Sequence, residues 1–191
     1  MTTWAEIDLV AIRANAQAIK AHIRRGKSCI CPSTVPALIA VIKADAYGHG
    51  AIPVARTLLD EASMYAVATV QEAIELRDGG ISAPILVLFN ALPDQAETIV
   101  RYQLTQSVCE PTLCKALSQI AQASNRHIKV HVDVDTGMNR GGLRYTEAVD
   151  FIRWLRTRDG IEIEGIFTHF ATADEVDETY TYLQLHRFES V

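Results

Sequence analysis

Residues 128–142 read IKVHVDVDTGMNRGG. Side chains alternate across a β-strand, so Val130, Val132 and Val134 share one face while His131 and Asp133 share the other. One face is apolar and the other ionisable. In an open, doubly wound sheet both faces pack under helices, whereas in a barrel the apolar face meets the outer helices and the other points into the lumen. Charge is tolerated there only beside a site or a paired partner. This strand therefore favours a parallel α/β barrel.

Outward from it, the chain repeats one unit: a short apolar strand, a polar loop and an amphipathic helix. Apolar residues at Leu9, Ile12, Ala16, Ile19 and Ile23 paint one face of a helix capped by Asp8, and Trp4 to Ile7 before it reads as a short strand. Leu38 to Ile42 is a continuous apolar run, the pattern of a strand buried on both faces. Tyr65 to Ala68 precedes Thr69 and Glu72, a capping-box pair opening a helix that Gly79 and Gly80 close. Pro84 leads a strand Ile85 to Phe89, and Pro93 starts the next helix. Strands at Leu104 to Cys109, Ile128 to Val134 and Ile161 to Thr168 follow, with helices opened by Pro111, over Tyr145 to Arg158 and around Tyr182, Leu185 and Phe188. About six strand-helix units result. A closed barrel of eight takes about 250 residues, so the chain is one or two units short.

Composition narrows the function. The 191 residues are 49% hydrophobic and 21% charged, as expected of a globular chain and not of a disordered one. With 18 basic against 23 acidic side chains the net charge is −5, which leaves no basic footprint for nucleic acid or an anionic membrane. No apolar run approaches the roughly 20 residues of a bilayer span, and the start MTTWAEIDL is not a signal peptide; both point to the cytoplasm. Cys29, Cys31, Cys109 and Cys114 lack zinc-site spacing and read as free thiols.

Chemistry-bearing residues gather at strand ends. Lys43 directly follows an apolar strand core and precedes Ala-Asp-Ala-Tyr-Gly-His-Gly. At the carboxyl end of a strand a partly desolvated lysine becomes a nucleophile or a base; a lysine reaching from the strand end to solvent is an equally good reading of these residues alone. Tyr47 and the glycines after it permit close approach to a ligand, or merely make a turn. Arg140, among glycines at the end of the fifth barrel strand, suits a carboxylate or phenolate, or is a solvated loop residue. His169, between Phe167 and Phe170 at the end of the sixth, is a satisfied core residue or a site residue. His131, Asp133 and Asp135 share one strand face, but a single strand rarely completes a metal sphere, so no metal is expected. His22, His127 and His186 read as surface.

Together, AEIDLVAIRANAQAI, AVIKADAYGHG, DVDTGMNRGG and EGIFTHFATADE, in this order and spacing, resemble the pyridoxal-phosphate-dependent alanine racemases over essentially the whole chain. The resemblance implies a (β/α)8 TIM-type barrel, incomplete here. Residues 1–8 are then a strand that pairs with a C-terminal β domain absent from this chain, and residues 9–191 are the partial cofactor-binding barrel. It implies a cytoplasmic homodimer interconverting L- and D-alanine for cell-wall synthesis. Lys43 matches the lysine that binds pyridoxal 5′-phosphate and acts as one of two opposed bases, Tyr47 a tyrosine near the phosphate, and Arg140 the arginine that meets the cofactor's phenolic oxygen and the substrate carboxylate. His169 matches the histidine beside the pyridine ring, and Asp174 an acidic residue on the substrate's access path.

Two departures accompany the match. Asp133 stands where many members carry a carbamylated lysine, and is expected to supply the negative charge that orients Arg140 through a charge-assisted hydrogen bond. The second base and the rest of the site lie beyond Val191, so the 191 residues are expected to be part of a longer polypeptide, completed by a second piece or a dimer partner, and inactive alone. Alternatives are a serine racemase of the same fold, a non-catalytic pyridoxal-phosphate carrier, and an inactive fragment that only meets partners.

Overall fold

The computed structural model describes residues 3–25 and 36–191; Cys29 and Cys31 lie outside them. The chain forms two compact units, Met1–Leu86 and Val87–Val191. Among the described residues no helix is long and apolar enough to cross a membrane.

In the first unit, α1 (Leu9–Arg25) starts where Asp8 Oδ1 accepts from the amides of Val10 and Ala11, the cap expected from its position. Its polar face is tied down by Arg13, which donates to Thr57 O, and by the Lys20–Glu61 pair at 2.9 Å. β1 (Ile39–Val41) pairs in parallel with β2 (Met64–Val67), Ile39 opposite Met64, and the amide of Tyr65 in β2 donates to Pro84 O just before β3 (Ile85–Val87). Between β1 and β2 lie α2 (Lys43–Gly48) and α3 (Ala51–Thr57); α4 (Val70–Asp78) follows β2. Its capping box forms as read: Thr69 Oγ1 accepts from the Glu72 amide while the Glu72 carboxylate accepts from the Thr69 amide.

One local expectation fails here, and another finds no partner among the described residues. β1 is not buried on both faces, since Ile39 and Val41 are 40% and 44% exposed. An apolar run reports a preference for burial, but burial needs a layer on each side, and an apolar groove bordered by Ile12, Ala16, Ile19 and Leu58 runs along this strand. Trp4 to Ile7, expected to pair with a domain outside this chain, joins no ladder among the described residues, and Trp4 is 79% exposed. A strand exists through its ladder partner, and the described residues supply none.

The second unit is built around β5 (Ile128–Asp135), which pairs in parallel with β4 (Thr105–Val108), β7 (Ile161–Phe167) and the two-residue β6 (Leu143–Arg144). The valine face of β5 is buried, with Val130, Val132 and Val134 at 1% exposure or less, and the His131–Asp133 face is half open. A 3-10 turn at Pro93–Gln95 leads into α5 (Ala96–Arg101), and α6 (Pro111–Ala123), α7 (Tyr145–Leu155) and α8 (Thr179–Glu189) complete the unit. Leu113, Leu117 and Leu155 lie in its core. Cys114 is buried and donates to Glu110 O, and burial pushes its thiol up to about 12; neither it nor Cys109 is in a disulfide.

Candidate active-site residues

Lys43 begins a backbone conformation that no local propensity predicts. Ala44, Asp45, Ala46 and Tyr47 all have φ between 50° and 56°, a left-handed turn made without glycine. Each such residue costs about 1–2 kcal/mol, so the turn holds several kcal/mol of strain. Hydrogen bonds hold it. The Ala46 amide donates to Ile42 O, the Gly50 amide to Asp45 O, and the Ala51 amide to Asp45 Oδ1 at 2.6 Å, while His49 Nδ1 lies 2.8 Å from Ala46 O. The Ala44 amide, next after Lys43, donates to Glu72 Oε1 at 2.9 Å, and the other oxygen of that carboxylate accepts from Ala68 at 2.6 Å. Ile42 is buried, Lys43 is half-buried, and Tyr47 is 61% exposed.

In the second unit the ionisable face of β5 is partnered, as a lumen face must be. Glu164 accepts from Lys129 Nζ at 2.6 Å and from His131 Nε2 at 3.2 Å. Burial alone would raise its carboxyl, but these bonds outweigh it and hold it below the ordinary range. The β5–β7 register slips between Val130 and His131, and Gly165, opposite His131, leaves room for the imidazole: a Cβ there would lie 3.1 Å from the ring. His131 is thereby held in place by a side-chain hydrogen bond to Glu164.

At the carboxyl end of β5, Asp133 has its pKa pushed up to about 6, by burial first and by the charge of Asp135 second, against the pull of Arg140. Arg140 itself is exposed. It attracts Asp133 by charge; the hydrogen bond expected between them is not formed among the described residues. Cys109 is drawn into the same corner, its thiol raised by burial and by Asp133, with the Gly142 amide bonded to its sulfur. Asp135 is spent on the loop, accepting from the amides of Gly137 and Asn139. Among the described residues no cluster of three or more His, Cys, Asp or Glu is arranged to hold a metal ion.

The loops carrying Arg140 and His169 are joined by a residue the sequence reading passed over. Gln184 on α8 is fully buried; its Nε2 donates to Thr136 Oγ1 and to His169 O, and its Oε1 accepts from the Ala171 amide. Thr136 and Thr168 share a hydrogen bond of 2.8 Å, Arg187 donates to Thr136 O, and Tyr180 donates to Gly137 O. Gly137 has φ 145°, and a Cβ there would sit 2.6 Å from the Tyr180 hydroxyl, so only glycine passes beneath it. Its neighbours at helical spacing are Tyr180, Thr181, Arg187 and Phe188, so no apolar stripe marked Gln184 in the sequence. His169 and Asp174 are exposed, and among the described residues no hydrogen bond or ion pair ties Asp174 to the other candidates.

A lysine at a strand end, an arginine that attracts a half-buried aspartate and a histidine held by its own carbonyl occur at the positions read from the four motifs. A family model described as alanine racemase, N-terminal domain, matches residues 7–191. The chain belongs to the alanine racemase family. It is 44% identical over 190 residues to an alanine racemase of Halothermothrix orenii, covering 99% of this chain and 48% of that one. To an alanine racemase of Clostridium tetani it is 47% identical over 187 residues, with 97% and 46% covered. Among solved structures, the alanine racemase of Clostridium difficile 630 in complex with cycloserine superposes with a TM-score of 0.90 at 38% identity, over 100% of this chain and 50% of that one. A histidine racemase from Leuconostoc mesenteroides superposes with a TM-score of 0.84 at 27% identity, covering 96% of this chain and 47% of that one. The likeness assigns the parallel α/β fold of the family's barrel domain. The chain spans about half the length of the relatives it matches.

Proposed function

We propose that this chain is the lysine-bearing half of a pyridoxal-phosphate-dependent racemase that interconverts L- and D-alanine. The observation that carries the reading is Lys43 itself, set at the carboxyl end of β1 and followed by a strained turn that local propensity would not select. Strain of this kind persists where surrounding structure over-determines it, which is typical of functional sites.

The donor set fits the cofactor. A primary amine suits its aldehyde, a guanidinium its phenolic oxygen, and the exposed Tyr47 hydroxyl its phosphate. Lys43, Tyr47, Arg140 and His169 would hold it. When bound, pyridoxal 5′-phosphate supplies a conjugated ring that delocalises the electron pair left when the Cα proton is removed. Lys43 moves that proton on one face of the substrate. A second group, on polypeptide beyond these residues, serves the other face, and two opposed bases give inversion. Arg140 binds the substrate carboxylate, with Asp133 as its counter-charge, and Asp174 lines the access path. The complete protein acts as a homodimer in the cytoplasm and supplies D-alanine for cell-wall synthesis, with residues 1–8 pairing with the portion outside this chain.

The fold also carries a histidine racemase, so the substrate side chain is selected by parts of the family that vary around a common barrel. The decisive experiment is borohydride reduction of the full-length holoprotein, peptide mapping and a racemisation assay. A pyridoxyl group on Lys43, lost together with activity in Lys43→Ala, is expected. Label on another lysine, or racemisation by Lys43→Ala, would overturn the reading; label without racemisation of any amino acid would favour a carrier.

A further inference from the structure

We infer that Glu72 is a positioning residue for Lys43, a role distinct from its duty as a helix cap and resting on the reading of Lys43 as the reactive amine. The Glu72 side chain divides its two oxygens between tasks. Oε2 accepts from the amides of Ala68, at 2.6 Å, and Thr69, at 3.3 Å, which completes the capping box of α4. Oε1 accepts from the Ala44 amide at 2.9 Å. That amide belongs to the peptide unit whose other end is the Lys43 carbonyl carbon, so the bond sets the rotation of the plane next to the Lys43 Cα. Ala44 is also the first residue of the left-handed turn, with φ 50°. The carboxylate thus bridges the end of β1 and the end of β2, two strand ends 28 residues or less apart in sequence from the side chain that joins them.

A capping box needs one acceptor at this position and is satisfied by Gln as well as by Glu. A tie to both strand ends needs two. The requirement for a second acceptor is therefore what separates positioning from capping.

Glu72→Gln keeps an oxygen for the cap but turns an NH2 group toward the Ala44 amide, donor against donor. Thr69→Ala does the opposite, removing the side-chain cap on the Glu72 amide while leaving Glu72 on Ala44. In the full-length holoprotein, Glu72→Gln is expected to lower kcat about 10- to 100-fold, the effect of misplacing a reacting group by about an ångström. KM should change little, the alkaline limb of the kcat–pH profile should shift, and Tm should stay near that of the parent. Thr69→Ala is expected to lower Tm and leave kcat and the pH profile alone. Parent-like kcat and pH profile in Glu72→Gln, or parallel losses in both variants, would overturn the inference. If Glu72→Gln does not fold, Glu72→Asp, too short to span both strand ends, takes its place with the same expected split. Failure of the parent protein to label at Lys43 would instead sink the proposed function; hydrogen exchange at Ala44, faster in Glu72→Gln and unchanged in Thr69→Ala, would then still report on the tie.

Discussion

The turn after Lys43 and the loops around Arg140 and His169 solve the same problem in opposite ways. The lysine turn is strained, with four consecutive non-glycine residues in the left-handed region, and its first amide hangs on one carboxylate. The Arg140 and His169 loops place glycine or asparagine, the residues that tolerate it best, where φ is positive, at Gly137, Asn139 and Gly142, and are fastened by several groups of α8: Gln184, Tyr180 and Arg187. A strained segment on few anchors responds steeply to losing one, in geometry more than in stability. A relaxed segment on buried anchors responds in stability first.

Four substitutions sharpen the contrast. The largest effect is expected from Gln184→Leu, which keeps the volume but takes the Gln184 partner from His169 O and the Ala171 amide and leaves Thr136 Oγ1 with Thr168 alone. Each orphaned polar group costs about 1–3 kcal/mol, so a loss of about 4 kcal/mol in chemical denaturation is expected. A loss under about 1 kcal/mol would mean that water replaces the amide. Next comes Gly137→Ala, whose methyl would drive Tyr180 from Gly137 O; about 3 kcal/mol should be lost, and restoring space with Tyr180→Phe should recover little, because the positive φ remains strained.

Asp133→Asn is expected to act mainly on charge. With a folded pKa of about 6 against an ordinary 3.8, Asp133 is protonated more readily in the folded than in the unfolded chain. Its contribution to stability is therefore fully present below about pH 3.8 and is lost as pH rises through about 6. The Asn variant should show a shallower fall in stability across that window. At neutral pH, where Asp133 is largely ionised, removing the charge that faces Arg140 should raise KM for alanine several-fold; unchanged kinetics would reject that partnership. The smallest effect belongs to Ala44→Gly, which relieves about 1–2 kcal/mol of left-handed strain and costs about 0.5–1 in unfolded-state entropy. A net gain below about 1 kcal/mol in Tm-derived stability is expected, and a net loss would show that the turn is not strained at Ala44.

What could be read in advance was local. The Asp8 cap, the Thr69–Glu72 box and the alternation along Ile128 to Val134 each involve neighbours within a few residues, and each is found in the structure. Glu164 as the partner of His131 was foreseeable in kind, since a lumen histidine needs one, but not in identity, because the bulge that brings it there depends on how β7 registers against β5. Gln184 and the second oxygen of Glu72 were hidden because their bonds join segments that only folding brings together.

By itself, the sequence determined the order of strands and helices, the parallel α/β class and the positions of Lys43, Arg140 and His169 at strand ends, because periodicity and capping are short-range and survive in a single chain. Tertiary structure alone decided that Ile39 and Val41 stay exposed, that Ala-Asp-Ala-Tyr turns left-handed against its own propensity, and that one carboxylate and one buried amide hold the turn after Lys43 and the loops of Arg140 and His169. Helix and strand propensities are worth tenths of a kcal/mol per residue and a left-handed residue costs about 1–2, whereas a buried or charge-assisted hydrogen bond is worth about 1–3, so several long-range contacts together overrule the local preference.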